Sequence, residues 1–482
     1  MKRVAMLTGL LVLVGCVSAP ERRQPQVDLT PPEVWAADAG RQAGDVDGAW
    51  WNSFEDPALT ELINVAIERN SDLAVAAARL DRAVANAKIA GADLGPSVGI
   101  GLGASRQRQN FIGFPFGAAG GGVPSTTSTR FGVSLESSWE VDLWGRIRAG
   151  ARAAVAEVQA ADADLRGARQ SVAAQTAKVW FAIAEARQQI ALAEESVASF
   201  RLSVGQVRSR YEAGIRPALD LRLALSNLAS AEALLQLRRQ QLDRATRQLD
   251  VLLGRYPDGR VLENHSVERL PEAPGPIPGG LPAELVARRP DLVAAERRLA
   301  AADQRYLAAR RALYPRLALT AGGGTASDSL GDLLDGDFRV WNIVGNLTQP
   351  LFQGGRLRAG VERADASNRA ALAVYVGEVL EAYAEVESAL AAEQTLAELE
   401  RHLAQAAEQL VAARRLAEER YRSGVGIYLV VLESQSRALI AEGELLAVRR
   451  QRLDNRVELH LALGGGFEHH VIGDPAAKGN ES

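Results

Sequence analysis

Few residues in this chain could do acid–base or covalent chemistry, and their settings argue against most of it. Glu140 with Asp142, and Glu418 with Glu419, are paired carboxylates of the kind that share proton transfer. The first pair falls inside a period-two pattern and the second on a helix face, so both read as wall or surface charges. Gly99-Ile100-Gly101 and Gly322-Gly323-Gly324 resemble phosphate-cradling loops, but no Gly-Lys-Ser/Thr follows and the context is strand rather than strand-to-helix. His469-His470 sit in a Gly-rich tail and read as solvated. A single Cys among 482 residues excludes an intrachain disulfide, and with five His it leaves little material for a structural zinc site. Lys+Arg 55 against Asp+Glu 59 gives no basic excess for nucleic acid. No nucleotide-binding or catalytic motif stands out, so the chain reads as a non-enzyme with no cofactor or metal.

The one cysteine carries the clearest chemistry. Met1-Lys2-Arg3 is basic, and the apolar run Val4 to Val14 is too short for a stable spanning helix. Leu13-Val14-Gly15-Cys16 places small and apolar residues before the thiol, which resembles a bacterial lipoprotein signal. Cleavage after residue 15 would leave Cys16 as an acylated N-terminus, and two or more chains hold a protein stably on a bilayer. Val17, where an Asp would mean retention at the inner membrane, points to the outer membrane. An ordinary secretory signal with an incidental Cys is the plainer alternative. No later run is apolar enough for a spanning helix, so any crossing must use strands.

The chain is written twice. Asn70-Ser71-Asp72-Leu73 returns as Arg289-Pro290-Asp291-Leu292, and Pro96 as Pro315, each 219 residues on. Gly145-Arg146-Ile147-Arg148-Ala149-Gly150 returns as Gly355-Arg356-Leu357-Arg358-Ala359-Gly360, now 210 residues on. Tyr211 with Tyr421 and Leu253-Gly254 with Leu463-Gly464 keep that spacing. Residues 50–254 and 283–464 are therefore two copies of one unit, joined by the Pro- and Gly-rich connector 255–282. Residues 16–49 form an N-terminal extension and 465–482 a flexible tail.

Each copy reads helix, helix, hairpin, long helix, helix: a mainly α chain with a small β part. Strands fall within about 97–145 and about 316–352. Val98, Ile100, Leu102 and Ala104 alternate with Gly and Ser, and the returning strand sets Phe131, Val133, Leu135, Trp139, Val141 and Leu143 against Gly132, Ser134, Glu136, Ser138, Glu140 and Asp142. The second copy repeats this more faintly through Leu317, Leu319, Ala321, Trp341, Ile343 and Leu347. Apolar on one face and small or acidic on the other suits a barrel wall between lipid and water, although a half-buried hairpin on a soluble core would alternate too. Four strands cannot close a membrane barrel, whose smallest natural form has about eight. Several chains must then share one.

From Arg146 to Tyr211 no Pro occurs. Val158, Leu165, Val172 and Val179, then Ile183, Ile190, Val197, Val204 and Tyr211, recur at heptad spacing with a four-residue stutter. Leu372, Val379 and Val386, flanked by Val376, Tyr383 and Leu390, repeat the pattern. A helix of about 65 residues measures roughly 98 Å, against roughly 90 Å for two shorter helices placed end to end. One long helix could thus pair along two short ones.

These residues resemble a known family. Trp50-Trp51-Asn52-Ser53-Phe54-Glu55-Asp56-Pro57 with Leu59 and Leu62, and Arg288-Arg289-Pro290-Asp291-Leu292 followed by Ala309-Arg310-Arg311-Ala312-Leu313-Tyr314-Pro315, look like signatures of the TolC-like outer membrane factors. The likeness covers nearly all of the mature chain and is closest to the lipid-anchored efflux branch, the OprM and NodT type. It implies a homotrimer with a twelve-stranded outer-membrane β-barrel continuous with a long periplasmic α-helical barrel, ringed at its equator by elements such as the connector. It also implies docking to a periplasmic adaptor (membrane fusion) protein and an inner-membrane efflux pump, which would supply the energy. The same architecture serves type I protein secretion; a lipid-anchored structural coiled coil without a pore is the rival from another class.

By the same resemblance the periplasmic entrance lies at the turns Tyr211 to Pro217 and Tyr421 to Gly426. Gly214, Pro217, Gly424 and Gly426 shape those tips, where an adaptor would dock. Leu429 takes the place of an apolar constriction ring, Glu433 of an acidic ring, and Tyr421 of a tyrosine that helps hold the entrance shut. Read without the family, Glu433 is a solvated helix charge and Leu429 a seam leucine. Gly426 stands where some relatives carry a charged latch residue, and Arg216 occupies that place in the first copy.

Overall fold

The structure, a computed structural model, describes residues 35–37, 49–112, 123–265, 267–275, 285–286 and 288–465. The leader with Cys16, most of the N-terminal extension, and the tail with His469-His470 lie outside the described residues.

Trp50–Phe54 forms a 3-10 turn, and α1 (Pro57–Arg69) follows. Asp56 starts α1 by accepting from the backbone N–H groups of Ala58 and Leu59, with Pro57 at the first position, where its missing N–H costs nothing. Then come α2 (Ser71–Ala92), β1 (Ser97–Asn110), β2 (Ser125–Val141), α3 (Arg146–Glu212) and α4 (Ala218–Leu252). A short α5 (Val261–Asn264) interrupts the connector, which the sequence had left irregular. The second copy supplies α6 (Pro290–Arg311), β3 (Arg316–Ser327), β4 (Arg339–Thr348), α7 (Arg356–Arg422) and α8 (Tyr428–Ala462). The counterpart of α1 would fall where several residues lie outside the described set.

The duplication holds to the residue. Pro290 and Arg311 bound α6 219 residues after Ser71 and Ala92 bound α2, while Arg356 and Arg422 bound α7 210 residues after Arg146 and Glu212 bound α3. The change of spacing falls in the hairpins: β1 and β2 have 14 and 17 residues, β3 and β4 only 12 and 10. Both long helices reach 67 residues without a break.

The described residues divide into two compact units. One gathers those of 81–159 and 296–374 and contains the sheet. Its four strands run β1-β2-β3-β4, every neighbour antiparallel. Register carries the apolar face across all of them: Ile100 opposes Leu135, Leu102 opposes Val133, Trp139 opposes Leu319, Val141 opposes Leu317, Ala321 opposes Ile343, and Leu317 opposes Leu347. The opposite face pairs Gly101 with Ser134, Glu136 with Gly322, and Gly322 with Asn342. Gly324 on that face is a steric requirement: a Cβ there would lie 2.0 Å from the carbonyl oxygen of Val133. β2 ends at Val141, so Leu143 is not a wall residue. Asp142 is no wall residue either. It accepts from the N–H groups of Ile147 and Arg148 and opens α3.

The other unit gathers the described residues of 28–80, 160–295 and 375–482. Its largest core packs Trp50, Phe54, Leu59 and Ile63 against Trp180, Phe181, Leu249 and Leu253. The tryptophan-rich opening motif is thus a packing device: Trp180 Nε1 donates to Asp56 Oδ2 at 2.7 Å, and Trp50 stacks on His460 with ring centroids 5.4 Å apart. Most of the heptad positions are buried as their spacing required, Val172, Val179, Ile183, Val197 and Val204 among them; Tyr211 is exposed.

Each copy fastens its last helix to its own beginning. Asn70 Nδ2 donates to the carbonyl oxygen of Leu252 while its Oδ1 caps α2 through the N–H groups of Asp72 and Leu73. Its counterpart Arg289 donates to the carbonyl oxygen of Ala462, and its guanidinium is held by Asp291 and Glu385, each at 2.6 Å. Gly254 and Gly464, at φ of +65° and +83°, end those helices where a side chain would strike the backbone near residues 69 and 288.

Candidate gate at the helix turns

α3 and α7 each end in a left-handed glycine, Gly214 at φ +74° and Gly424 at φ +84°. In both turns the following residue's N–H reaches back: Ile215 donates to Arg210, and Val425 to Arg420. Pro217 lies one position before α4, as its N-cap, rather than inside the first turn. Gly426 has an ordinary φ, but a Cβ there would lie 2.9 Å from the backbone nitrogen of Tyr421. Any side chain at this place would crowd the backbone of Arg420 and Tyr421.

Between the turns sits a small apolar core of Val204, Val207, Ala224, Ala417, Tyr421, Tyr428 and Val431. Tyr421 is its centre, only 2% exposed. Arg210 lies over its ring at 4.3 Å from the centroid and donates to its carbonyl oxygen at 2.9 Å. Arg216 approaches the same ring at 5.8 Å and donates to the carbonyl oxygen of Gly426 at 3.1 Å. The two arginines of the first copy thereby grip the turn of the second. Tyr428 adds its ring at 5.6 Å, and neither tyrosine hydroxyl has a partner among the described residues. Burial, helped by Tyr421 and Asp220, pushes the Tyr428 hydroxyl up to about 12, so it stays neutral at any physiological pH.

Leu429 and Glu433 stand one helical turn apart on α8, both outside this core. Leu429 is 59% exposed, and its first-copy counterpart Leu219 and the neighbouring pair Ile215 and Val425 are more exposed still. Glu433 pairs with Arg437 at 2.6 Å on an exposed helix face. The tyrosine is thus separated from the apolar and acidic residues, of which Leu429 is exposed and Glu433 meets Arg437. Two turns along α8, Gln435 donates to Glu418 and to Ser199, tying α8 to α7 and α3.

Sequence reasoning missed Arg210, Tyr428, Gln435 and Arg437. Only Arg437 carried a local signal, the i,i+4 spacing from Glu433; the others are brought in by long-range packing.

The model of the outer membrane efflux protein family matches residues 62–255 and 281–465. The pyoverdine export outer membrane protein OpmQ of Pseudomonas putida is 32% identical over 476 residues, covering 97% of this chain and 98% of its own. OprJ, an outer membrane protein of Pseudomonas aeruginosa, is 32% identical over 475 residues, with 96% of each chain covered. The outer-membrane channel OprN superposes with a TM-score of 0.82 at 29% identity over 94% of this chain and 99% of its own. The open state of the Neisseria gonorrhoeae MtrE outer membrane channel gives 0.76 at 29% identity, over 94% and 98%. With both copies matched and relatives aligned nearly end to end, the chain belongs to the outer membrane efflux protein family.

Proposed function

We propose that this chain is the outer-membrane exit duct of a tripartite efflux system, working as a homotrimer that receives small solutes from an inner-membrane pump through a periplasmic adaptor. The observation that carries this reading is the sheet. One face is apolar from β1 to β4, and both outer edges, β1 and β4, are unpaired among the described residues. An open edge in lipid costs several kcal/mol for each unpaired backbone group, so the sheet must be completed by other copies. Three copies of four strands make a twelve-stranded barrel, within the natural range. The apolar band fits a bilayer: from Val141 to Phe131 the strand advances about 34 Å, or about 26 Å of height at a tilt near 40°. No described helix is long and apolar enough to cross a membrane.

In this reading the helices form the periplasmic passage, and the turns around Gly214 and Gly424 face the adaptor. Leu429 and Glu433, lacking partners within one chain beyond Arg437, line the entrance against their symmetry mates, with Tyr421 buried behind them. Acylated Cys16 tethers the mature chain to the outer membrane. Relatives named for pyoverdine export and toluene efflux favour efflux over protein secretion. Planar-bilayer recording of purified full-length protein, with the particle mass measured in detergent, tests the proposal. Discrete conductance from a trimer is expected; a monomer, or a trimer that never conducts, overturns it and leaves a lipid-anchored scaffold.

A further inference from the structure

The chain contains, between its own two copies, a joint that its outer faces lack. α6, the first helix of the second copy, meets both long helices. On the α7 side Asn368 donates to Asp303 at 3.0 Å, and Tyr306 and Leu313 share a core with Val361. On the α3 side Arg305 pairs with Glu157 at 2.8 Å. Pro290 lies over Gly167, where an added Cβ would meet the proline Cβ at 3.5 Å. The stripe of α6 that carries Pro290 and Arg305 also carries, at helical spacing, Ala294 and Ala301, both fully buried.

α2 is the same helix of the first copy, and its matching stripe is bare. Ser71, Val75, Arg82 and Asn86 stand 219 residues before Pro290, Ala294, Ala301 and Arg305, and all four are exposed, Val75 by 50%. α7 shows the complementary bare face. Ser367, Ala370 and Gly377 stand 210 residues after Glu157, Ala160 and Gly167 and are exposed, as is Val374 between them. Gly377 repeats Gly167 in the middle of an unbroken helix, although nothing in its own chain comes within 4 Å of the place its Cβ would take. A glycine there weakens the helix, and close approach of a neighbour is what it permits. The ionic pair of the inner joint has also changed on both sides together: Asn86 and Ser367, in the places of Arg305 and Glu157, are neutral and able to hydrogen-bond. Loss of one partner alone would leave a stranded charge. Arg82, the charged member of the α2 stripe, has a stem long enough to lie along a seam with its head in water.

We propose that α2 of one copy of this chain packs on α7 of the next as α6 packs on α3 within the chain, seating Ser71 on Gly377 and bringing Asn86 toward Ser367 across the subunit boundary. The joint links the second half of one chain to the first half of another, so it is heterologous and closes into a ring. Closure at three chains rests on the homotrimeric reading of the duct.

Oxidative cross-linking of the full-length protein in detergent, with particle mass measured on the same preparations, tests the joint. The Gly167–Pro290 spacing lies at the separation a disulfide needs, about 3.5–4.5 Å between Cβ atoms, so S71C/G377C should convert most of the protein into linked dimers and closed trimers. S71C/S367C and N86C/G377C move one thiol at least about 15 Å along its helix and should link at least ten-fold less, as should each single variant. G377L should release monomers of undiminished helicity, because its side chain meets nothing within its own chain. Trimers in which the matched pair fails to link, or the mismatched pairs link equally well, overturn the joint and leave the trimer standing. So does a G377L protein that stays fully trimeric. A monomeric wild type removes the homotrimeric reading itself.

Discussion

Arg210 lays its guanidinium 4.3 Å from the ring centroid of Tyr421 and donates a hydrogen bond to that same residue's carbonyl oxygen, so one side chain holds both the ring and the backbone of the opposite turn. Arg210 is half-buried, so its cation–π contact contributes about 1 kcal/mol, and the hydrogen bond from a charged donor a further 1.5 kcal/mol or so. Arg210→Ala should therefore loosen the tip without unfolding the chain. Single-channel recordings are expected to show longer or larger openings than wild type, and Arg210→Lys, which keeps charge but loses the planar fork, should fall between. Indistinguishable gating in all three would detach this contact from the gate.

Glu433 and Arg437 offset one another at the exposed face of α8. Exposed pairs at this spacing are worth only about 0.3–0.5 kcal/mol, so either residue can be changed with little loss of stability. Glu433→Ala should lower the cation preference several-fold, as carboxylates at a narrow mouth favour cations. Arg437→Ala should raise it. Opposite shifts of reversal potential in a salt gradient are the readout; shifts of the same sign would place Glu433 away from the conducting path.

Two adjacent glycines in β3 make a paired control. A methyl on Gly324 would collide with the Val133 carbonyl oxygen at 2.0 Å, whereas one on Gly323 meets nothing within 4 Å. Gly324→Ala should cost at least about 2 kcal/mol through forced overpacking. Gly323→Ala should be near neutral. Heat-modified mobility on semi-native gels should reveal the difference as a drop in the melting temperature of the first variant alone.

Burial pushes the Asp454 carboxyl up to about 6, against the pull of Arg450 and Lys178 and assisted by Glu458 and Glu185. Because the folded pKa is raised, the native state binds the proton more readily than the unfolded one, and the charged form is penalised above pH 6. Asp454→Asn should accordingly stabilise the protein at pH 7.5 by up to about 3 kcal/mol. The gain should shrink as pH falls through 6 and vanish below about 4. Thermal melts across that range check the sign; a variant less stable than wild type at pH 7.5 would show that the contact with Arg450 outweighs the burial.

Much of the architecture could be read from spacing. The two offsets located every major helix end, because Gly, Pro and capping residues recur where the backbone must turn, and the period-two stretches identified the sheet's apolar face. What escaped was decided by distant partners. Asp142 reads as one more polar residue in an alternating strand, yet the unpaired N–H groups at the start of α3 claim it. Gly426 looked like a missing latch, and only the proximity of the Tyr421 backbone shows that the space is already filled. Leu429 and Glu433 came from resemblance alone, since their work requires symmetry mates that one chain does not contain.

The matched fastenings at Asn70 and Arg289 carry a consequence for ancestry and engineering. A copy that ties its own final helix to its own first turn carries a closing bond of its own, while connector residues Val261 and Val267 pack into a core the two copies share. Half-length polypeptides cut within residues 255–282 should therefore find each other when co-expressed. A forebear with a single copy per gene would assemble the same ring from twice as many identical pieces, after which fusion freed the two halves to diverge: Arg210-Tyr211 and Arg420-Tyr421 still match, whereas Arg216 stands against Gly426 and Ala218 against Tyr428.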